Sequence, residues 1–464
     1  MKKNLNIIIL GLAALSLSSC KTLYGKYERP DVKTSGIVRD VASDTDTLAV
    51  KDTTTFANIP WRSVFTDPQL QSIIEKGLNN NVNLLNAALN VKMAEEQLKC
   101  AKLAFIPSLS FTPQGTIASW DGNAATKTYS LPVTASWTVD LFGNLLSQKR
   151  SAQMALLQLQ DYQVSVKTNL IANIANMYYT LLMLDKQVEL VNNMEGLTKD
   201  TWETMKVLKD TKIGYRGTSV QAAESNYYAV LTQKTDLMRQ IRETENSLSL
   251  LIGDQAHSIA RGKLENQSLP ATFSTGVGIQ LLNNRADVHA AEMNLAQCFY
   301  GIETARSKFY PSITISGTGA FTNSAGAGIV NPGKWLLSAV GSLVQPIFQN
   351  GRIIAGLKVA KMQYEQAYNT WQNTVLKAGS EVSNALVLYN YSDEKGKVEA
   401  KRIAVLEQNV EDTRKLMSEA GGSYLEVIQA QSSLLNVQLS KVADDFYKMQ
   451  AVVNLYYALG GGAK

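Results

Sequence analysis

Two copies of one helix–strand–loop–strand–helix unit make up this chain, and the duplication constrains its fold more than any other feature. The clearer copy occupies residues 279–351, where a helical spacing of apolar residues stops at Phe309-Tyr310-Pro311 and strict alternation begins. A loop rich in Gly, Ala, Asn and Ser follows, then a second alternating run over 335–345 and a very long helical pattern. The pattern predicts a β-hairpin between helices.

The same order of elements occurs about 200 residues earlier in the chain. Phe105-Ile106-Pro107 matches Phe309-Tyr310-Pro311 at an offset of 204, and Gly214 matches Gly421 at an offset of 207. Because the offset drifts slowly while the order of the matches is kept, the pattern indicates an old tandem duplication. We therefore predict one fold made of two halves, although 464 residues could hold several ordinary domains.

The N-terminus has the features of a targeting segment. Lys2 and Lys3 precede an apolar run over 7–17 that is too short to span a bilayer as a helix. The following Leu17-Ser18-Ser19-Cys20 resembles a bacterial lipobox, whose cleavage would leave Cys20 as an acylated N-terminus; an ordinary secretory signal with an accidental cysteine is the alternative. We predict a signal peptide at 1–19 and a lipid anchor with an extended polar tether at 20–58.

The predicted β-hairpins lie at 107–141 and 311–346, and their strands suit a membrane. In the best run the apolar residues Tyr129, Leu131, Val133, Ala135, Trp137 and Val139 alternate with polar ones over about ten residues, the length that a tilted strand needs to cross a bilayer. A soluble sheet with one side on a core alternates identically. Aromatic residues stand near the strand ends, as at membrane interfaces: Trp120, Tyr129, Phe142, Phe321, Trp335 and Phe348. Pro113 and Pro132 suit strand ends or irregular edges.

Long proline-free stretches predict long helices. All ten prolines lie at or before residue 132 or between 270 and 346. Each half should therefore hold a long helical hairpin, with glycine turns near 214–217 and 421–422, and Gly196 is a candidate interruption of the first. The first repeat spans 59–253 and opens with Asp67 as N-cap and Pro68 as first helical residue. A linker at 254–278, the second repeat at 279–460 and a tail at 461–464 follow.

Four amphipathic strands per chain cannot close a barrel and would leave edges that lipid does not tolerate. No segment is long and apolar enough for a transmembrane helix, so a chain that crosses the membrane must pool its strands with other copies. We predict a mostly α, α+β fold in which several copies pool their strands; three copies would give a 12-stranded β-barrel, an even number within the known range, and a cylinder of long helices.

Other chemistry is poorly supported. A net charge of +5 is too mild and scattered for nucleic acid binding, and two histidines, His257 and His289, are too few for a His-rich metal site. Cys100 and Cys298 are expected to be unpaired buried thiols, with a disulfide between them as the alternative. No GxSxG, HExxH or phosphate-binding loop is present, so we predict no catalytic residue, metal or cofactor apart from the lipid on Cys20. A lipid-anchored helical scaffold and a passive diffusion porin are competing functions.

The chain resembles the TolC-like and OprM-like outer-membrane efflux proteins, in their lipoprotein branch. The resemblance rests on WRSVFTDPQLQSII, VDLFGN, RADVHAAEMNLAQC followed by FYPSITISG, QPIFQNGR and SYLEVIQAQSSLL, and covers nearly the whole mature chain. It implies a trimeric outer-membrane duct that continues into the periplasm as an α-helical barrel. Such a duct receives small molecules, including drugs and toxic compounds, from an inner-membrane transporter (RND or similar) through a periplasmic adaptor (membrane fusion protein).

The resemblance also implies a gate at the periplasmic helix tips. The family's acidic motif falls on Glu426; Gln429 stands where a second acid is common, and Ser219 is the first-repeat equivalent of Glu426. One acidic ring is therefore expected, and a solvated glutamate near a helix start is the alternative. Tip-turn and adaptor-contact candidates, which could equally be ordinary turn residues, are Gly214, Tyr215, Arg216, Gly217, Gly421, Gly422 and Tyr424.

Overall fold

The computed structural model describes residues 25–31, 59–119, 121–211, 217–269, 285–325, 328–419 and 423–462. The helices and strands of the first half are α1 (Trp61–Val64), α2 (Pro68–Asn80), α3 (Val82–Leu103), β1 (Ser108–Phe111), β2 (Gln114–Ala118), β3 (Thr126–Val139), α4 (Asn144–Thr211) and α5 (Gly217–Leu251). Those of the second half are α6 (Ala286–Ser307), β4 (Ser312–Ala325), β5 (Gly328–Val344), α7 (Arg352–Glu419) and α8 (Tyr424–Ala458).

The lengths of equivalent helices confirm the tandem repeat. Helices α3 and α6 each have 22 residues, α4 and α7 each have 68, and α5 and α8 each have 35. The starting residues of these pairs are separated by 204, 208 and 207 positions, so the chain is mostly helical with one antiparallel sheet and two matching halves.

Two predicted helix boundaries are wrong. The first helix does not run unbroken to Leu103, because Asn81 has an extended backbone between α2 and α3. The Asn81 side chain accepts a hydrogen bond from the Leu84 amide at 3.0 Å and donates one to the Leu251 carbonyl at 2.8 Å, so it caps α3 and ties it to α5. In contrast, Gly196 does not interrupt α4, because a helix tolerates a single glycine at about 1 kcal/mol relative to alanine.

The described residues form two compact units. The strand unit comprises Leu89–Asp161 and His289–Asn373 with residues 25–31, and contains every described strand. The helical unit comprises residues 59–88 and the described parts of Tyr162–Val288 and Thr374–Lys464. None of the described helices combines the length and the hydropathy of a bilayer-spanning helix.

The sheet of the strand unit is antiparallel, with the order β1–β3–β4–β5 and with β2 also paired to β3. The predicted first strand is split into β1 and β2 around Thr112 and Pro113, directly opposite Pro132 of β3. Proline lacks an amide donor, so the two prolines share one gap in the hydrogen-bond ladder. Pro132 itself lies well inside β3, where it pairs with Ala320 of β4, so its expected place at an edge is wrong.

The strands of the second hairpin are longer than predicted, although the hairpin lies within its predicted bounds of 311–346. Strands β4 and β5 extend into the predicted loop at 322–334, with a register shift between Thr322 and Ser324. Apolar alternation ends before backbone pairing does, because the hydrogen bonds of a ladder do not depend on side-chain polarity.

Part of the predicted tether is packed rather than extended. Residues 25–31 lie along α6, where Arg29 forms an ion pair with Glu292 and the ring of Tyr27 contacts Phe299 edge to face with centroids 6.0 Å apart. Cys298, also on α6, is half-buried and Cys100 on α3 is exposed. Both thiols are free, as predicted, but the predicted burial of Cys100 is wrong.

The core of the helical unit joins α1 and α2 to α4, α5 and α8. Tyr178 and Tyr179 are fully buried in it with Phe65, Leu70 and Ile74. Asp67 caps α2 by accepting from the Gln69 amide at 2.8 Å, which confirms the predicted N-cap. Its carboxylate also accepts from the Tyr178 hydroxyl at 2.6 Å, so that this cap is tied to the core.

Candidate functional site: the two faces of the sheet and the helix tips

The outward-pointing apolar residues form one face of the sheet in the strand unit. The register places Phe111 opposite Val133 and Trp137 opposite Ile315, so apolar residues lie next to one another across neighbouring strands. They are exposed in the single chain: Leu337 is 83% exposed and Leu109 is 75% exposed. A contiguous exposed apolar surface of this kind marks a membrane or protein contact.

Aromatic side chains lie near both ends of this face. Tyr129, Phe321 and Trp335 form one cluster, with ring centroids 6.1 Å and 5.7 Å apart. Beyond the other end of the strands, Phe142 stacks on Tyr310 with centroids 5.0 Å apart. The distance along the strand from Tyr310 to Phe321 is about 36 Å, or about 28 Å across a bilayer at a tilt of about 40°. That height matches the hydrocarbon thickness of a membrane.

The opposite face of the sheet is lined with hydroxyl groups. Ser110, Thr134, Thr318 and Ser338 form one row across the four strands, and the Thr134 and Thr318 hydroxyl oxygens lie 3.0 Å apart. Lys334 and Lys127 are the charged residues of the described strands; Lys334 lies within β5 on this face, with Leu336 and Val340, and Lys127 lies near the start of β3 on the other face. Hydroxyl groups thus make this face a mainly hydrogen-bonding surface that water can wet.

The outer strands of the sheet are unpaired on one side. Among the described strands, β5 pairs only with β4, and β1 and β2 pair only with β3. Their free backbone groups could be satisfied by strands of another copy, as an edge in lipid requires. One face for lipid, one face for water and two open edges are the properties of a segment of a membrane barrel.

The predicted tip residues lie only partly within the described residues. Gly214, Tyr215, Arg216, Gly421 and Gly422, like the lipidation candidate Cys20, lie outside them. Gly217 begins α5 and is exposed, and Tyr424 begins α8 and packs on a cluster of Met205, Leu208, Ala223, Met417 and Val427. This cluster contains residues of all four long helices, so the two hairpins pack together near their tips.

The gate candidates differ in exposure although Ser219 and Glu426 are equivalent in the repeat. Glu426 and Gln429 are exposed on the first turns of α8, and the Gln429 amide lies 3.4 Å from the Ser433 hydroxyl. Ser219 is 5% exposed, so its side chain lies inside the packed hairpins of one chain. Assignment of these three residues to a constriction stays a prediction.

Polar contacts near the tips link the two hairpins, and sequence reasoning missed them. Gln431 of α8 is fully buried and donates to the Thr201 hydroxyl of α4 at 2.9 Å. Arg414 of α7 lies 3.8 Å from Asp200 of α4. A contact between helices far apart in sequence leaves no periodic signal in either helix. Gln431 could still have been noticed, because it is a polar residue on the apolar side of α8.

A group of aromatic side chains lies near the tip of the first helical hairpin. Trp202 of α4 stacks on Tyr227 of α5 with centroids 5.6 Å apart, and Lys206 lies 3.4 Å from the Trp202 ring centroid. Tyr228, next to them, is 51% exposed. Tyr227 therefore packs between α4 and α5, while Tyr228 is exposed at the surface of the single chain.

The two histidines have different environments. His289 on α6 pairs with Asp161 of α4 at 2.5 Å, and His257 lies in the segment after α5 rather than on a helix. Within the described part of the chain, no group of three or more His, Cys, Asp or Glu side chains could hold a metal ion.

Comparison with known protein families gives one match to each of the two repeats. A family model described as "Outer membrane efflux protein" matches residues 73–254 and again residues 278–461. The two matches correspond to the two structural repeats and together cover most of the chain.

Individual relatives are similar over nearly their full lengths. The cation efflux system protein CusC of Escherichia coli K12 is 26% identical over 462 residues, covering 97% of this chain and 98% of that protein. The probable outer membrane lipoprotein SilC of Salmonella typhimurium is 23% identical over 454 residues, covering 96% of each. Among solved structures, the outer-membrane channel OprN has the same fold, with a TM-score of 0.83 at 21% identity, covering 95% of this chain and 99% of that one.

Proposed function

The chain belongs to the outer membrane efflux protein family, and from that premise we propose that three copies form the exit duct of a tripartite efflux system. As an outer membrane efflux channel it is not an enzyme. In the proposed duct, small molecules pass from an inner-membrane transporter of the RND or a similar type, through a periplasmic adaptor, to the cell exterior. The hydroxyl-lined face of the sheet surrounds the path.

The observation that carries this proposal is the sheet with one apolar face, one hydroxyl face and two open edges. Each chain provides four strand positions, since β1 and β2 occupy one position between them. Three chains that join β5 of one copy to β1 and β2 of the next would close a barrel of about twelve strands, and would leave no edge in lipid. The apolar face would then contact lipid and the hydroxyl face would line water.

An apolar stripe on α7 in the helical unit supports the same assembly. Its members are exposed in the single chain and repeat at intervals of four, seven or eleven residues, which keeps them on one side of a helix: Leu376, Val387, Tyr391, Val398, Val405 and Leu416. Tyr391, Val398 and Val405 are each more than 60% exposed. In the proposed trimer this stripe packs against the helices of the neighbouring copy.

The gate of the proposed duct is at the tips, with Glu426 and Gln429 facing the axis. Three Glu426 carboxylates in one ring would repel each other and attract cations. The cross-links from Gln431 and Arg414 to α4 would limit how far the two hairpins of one chain separate when the gate opens. Residues at the two tip turns, including Arg216 and Tyr424, would contact the adaptor.

The lipid anchor and the cargo complete the proposal. Acylation at Cys20 would attach the chain to the outer membrane, and the name of the SilC relative, an outer membrane lipoprotein, supports it. Among the described strands the hydroxyl face carries one charged residue per chain, Lys334, so we assign selection of the cargo mainly to the pump and the gate. A helical scaffold would have no use for the two-faced sheet, and a diffusion porin would have no use for helices of 68 residues.

Planar-bilayer recording with the purified full chain tests the proposal. We expect discrete channel openings whose block by divalent cations weakens in Glu426→Gln, because neutral side chains attract cations less strongly. Glu243→Gln, on the exposed surface of α5 beside Arg239, is the matched control and should leave the block unchanged. Absence of channel openings would contradict the duct, and equal block in wild type and Glu426→Gln would contradict the gate alone.

A further inference from the structure

Two buried carboxyl groups lie between α7 and α8 in the helical unit. Glu399 of α7 is 7% exposed and Asp444 of α8 is 4% exposed. Lys395, one turn before Glu399, donates a hydrogen bond to Asp444 Oδ1 at 3.1 Å, and its Nζ lies 3.7 Å from Glu399 Oε1. One ammonium group thus contacts two buried carboxyl groups, and a buried charge without a partner is costly.

The duplicated half shows that packing of the hairpin does not need these acids. The offset of 208 between α4 and α7 places Val191 at the position of Glu399, and the offset of 207 between α5 and α8 places Leu237 at the position of Asp444. Val191 and Leu237 are both buried in one apolar cluster. The second repeat therefore carries a pair of acids where the first carries ordinary core residues.

The second oxygens of the two acids have different surroundings. Glu399 Oε2 is buried and receives no hydrogen bond within the described structure, whereas the buried Asp444 Oδ2 lies 3.0 Å from Lys395 Nζ. An ionised carboxylate can only accept, so two ionised groups cannot satisfy one another. A proton on either group turns that group into a donor for the other.

The neighbouring charged side chains already have partners on α7 and α8. Lys441 pairs with Asp445 at 2.5 Å, and Lys397 and Lys448 both pair with Asp393, at 2.6 Å and 2.5 Å. Lys395 also donates to the Ser440 hydroxyl at 3.2 Å. Lys395 is consequently the cation that faces the two acids.

We propose that Glu399 and Asp444 form a proton-binding site that holds one shared proton between α7 and α8 at neutral pH. With that proton the group of Lys395, Glu399 and Asp444 is electrically neutral, and the protonated acid can donate a hydrogen bond to the ionised one. Loss of the proton leaves one net negative charge buried in the helix contact. The site makes the pairing of α7 with α8 sensitive to pH, a property separate from the proposed transport of cargo.

The direction of the pH response follows from burial. Burial raises the pKa of Glu399, the nearby Asp444 carboxyl raises it further, and Ser440 and Lys395 act in the opposite direction, with a net increase. A carboxyl group with a raised pKa binds more protons in the folded state than in the unfolded state. Its contribution to stability is therefore present in acid and is lost as the pH rises through the folded-state pKa.

Infrared spectroscopy of the full chain in detergent detects the proton directly. The C=O stretching band of a protonated carboxyl group should be present in the wild type at neutral pH and should disappear as the pH is raised. Glu399→Gln and Asp444→Asn mimic protonated groups and should each lose the part of the band that belongs to this site. Glu411→Gln, an exposed acid on α7 paired with Lys415, is the matched control and should retain it.

The outcomes separate clearly. Loss of band intensity in either variant, with the control unchanged, supports the site. A wild type without such a band at neutral pH overturns the proposal even when neither variant folds, and so does a band that persists in both variants. As a second measurement, the wild-type Tm should fall as the pH rises from the ordinary glutamate pKa of about 4.3 through the raised folded-state pKa, and this fall should be smaller in Glu399→Gln. None of these readouts requires the chain to act as a channel.

Discussion

Arg285 is the residue that ties the start of α6 to α7 and α8 in the helical unit. Its guanidinium is 3% exposed and donates to Asp287 at 2.7 Å and to the Ala458 carbonyl at 3.0 Å, and it lies 2.7 Å from Glu381. Burial lowers the pKa of Arg285, but its carboxylate partners raise it more strongly, so the side chain stays charged. The guanidinium hydrogen bond thereby satisfies the Ala458 carbonyl at the C-terminal end of α8, which would otherwise lack a partner.

We expect Arg285→Ala to lower the free energy of unfolding by about 1–3 kcal/mol, because the half-buried Asp287 and Glu381 carboxylates and the Ala458 carbonyl lose this partner. Denaturant unfolding in detergent would measure the loss. Arg239→Ala removes an exposed arginine that pairs with Glu243 and should produce no measurable change. Similar unfolding curves for both variants would show that the buried network does not stabilise the fold.

Asp67 provides a second prediction at the residue scale, with a defined pH dependence. Burial raises the pKa of Asp67. Hydrogen bonds from Tyr178, Gln267 and the Gln69 and Leu70 amides together lower it by more, so the pKa lies below its usual value. The stabilisation is therefore present at neutral pH and is lost as the pH falls below about 4.

Asp67→Ala should cost about 1–3 kcal/mol at neutral pH, since the variant loses the N-cap and leaves the Tyr178 hydroxyl without its acceptor. Asp67→Asn keeps a capping oxygen and should cost less. Thermal unfolding between neutral and acidic pH measures both effects, and the difference between wild type and Asp67→Ala should shrink in acid. A difference that grows in acid would contradict the assigned role.

Among the elements, the strands of the sheet provide a matched pair of neighbouring residues. Val133 lies on the apolar face and is 49% exposed, whereas Thr134 lies on the hydroxyl face. Val133→Arg should reduce the amount of folded protein in the outer membrane, because a charge in lipid costs about 2–4 kcal/mol near the bilayer centre. Thr134→Arg should still insert and should change channel conductance instead.

Membrane fractionation and bilayer recording distinguish these two variants. A Thr134→Arg protein that fails to insert, together with a Val133→Arg protein that inserts normally, would mean that the faces are assigned the wrong way round.

The sequence predicted the type and order of the helices and strands because apolar residues recur at regular intervals in both. The two long hairpins end within two residues of their predicted positions, and the apolar side of β3 is the side that alternation indicated. Breaks in the elements were harder to predict. Asn81 stops a helix through one cap and one long-range hydrogen bond. Pro132 is tolerated inside β3 because the break between β1 and β2, at Thr112 and Pro113, lies beside it. Neither arrangement leaves a local pattern.

Candidate site residues were less predictable than the elements. Ser219 and Glu426 occupy equivalent positions, yet one is buried within the chain and the other is exposed, since the neighbours of each hairpin differ. The Gln431–Thr201 contact and the Glu399–Asp444 pair depend on helices that are distant in sequence or on a comparison of the two repeats. Alignment of the repeats position by position would have revealed the acid pair, because Val191 and Leu237 occupy its equivalent sites.

At the scale of the whole molecule, duplication explains why a chain of this size has so few strands. Each repeat contributes one hairpin, and the pairing of β3 with β4 joins the two hairpins into one sheet with both outer edges open. Such a sheet is complete only within a larger assembly. The repeat also allowed the two halves to diverge, so that one helical hairpin has an apolar contact where the other has buried acids.

Native mass spectrometry of the detergent-extracted mature protein tests the shared barrel most directly. The account predicts a trimer, with a mass of roughly three times 50.8 kDa, less the cleaved leaders and plus an acyl group on each Cys20. A monomer that is soluble without detergent would contradict it, because the apolar face and the open edges of the sheet would then need neither lipid nor neighbouring strands.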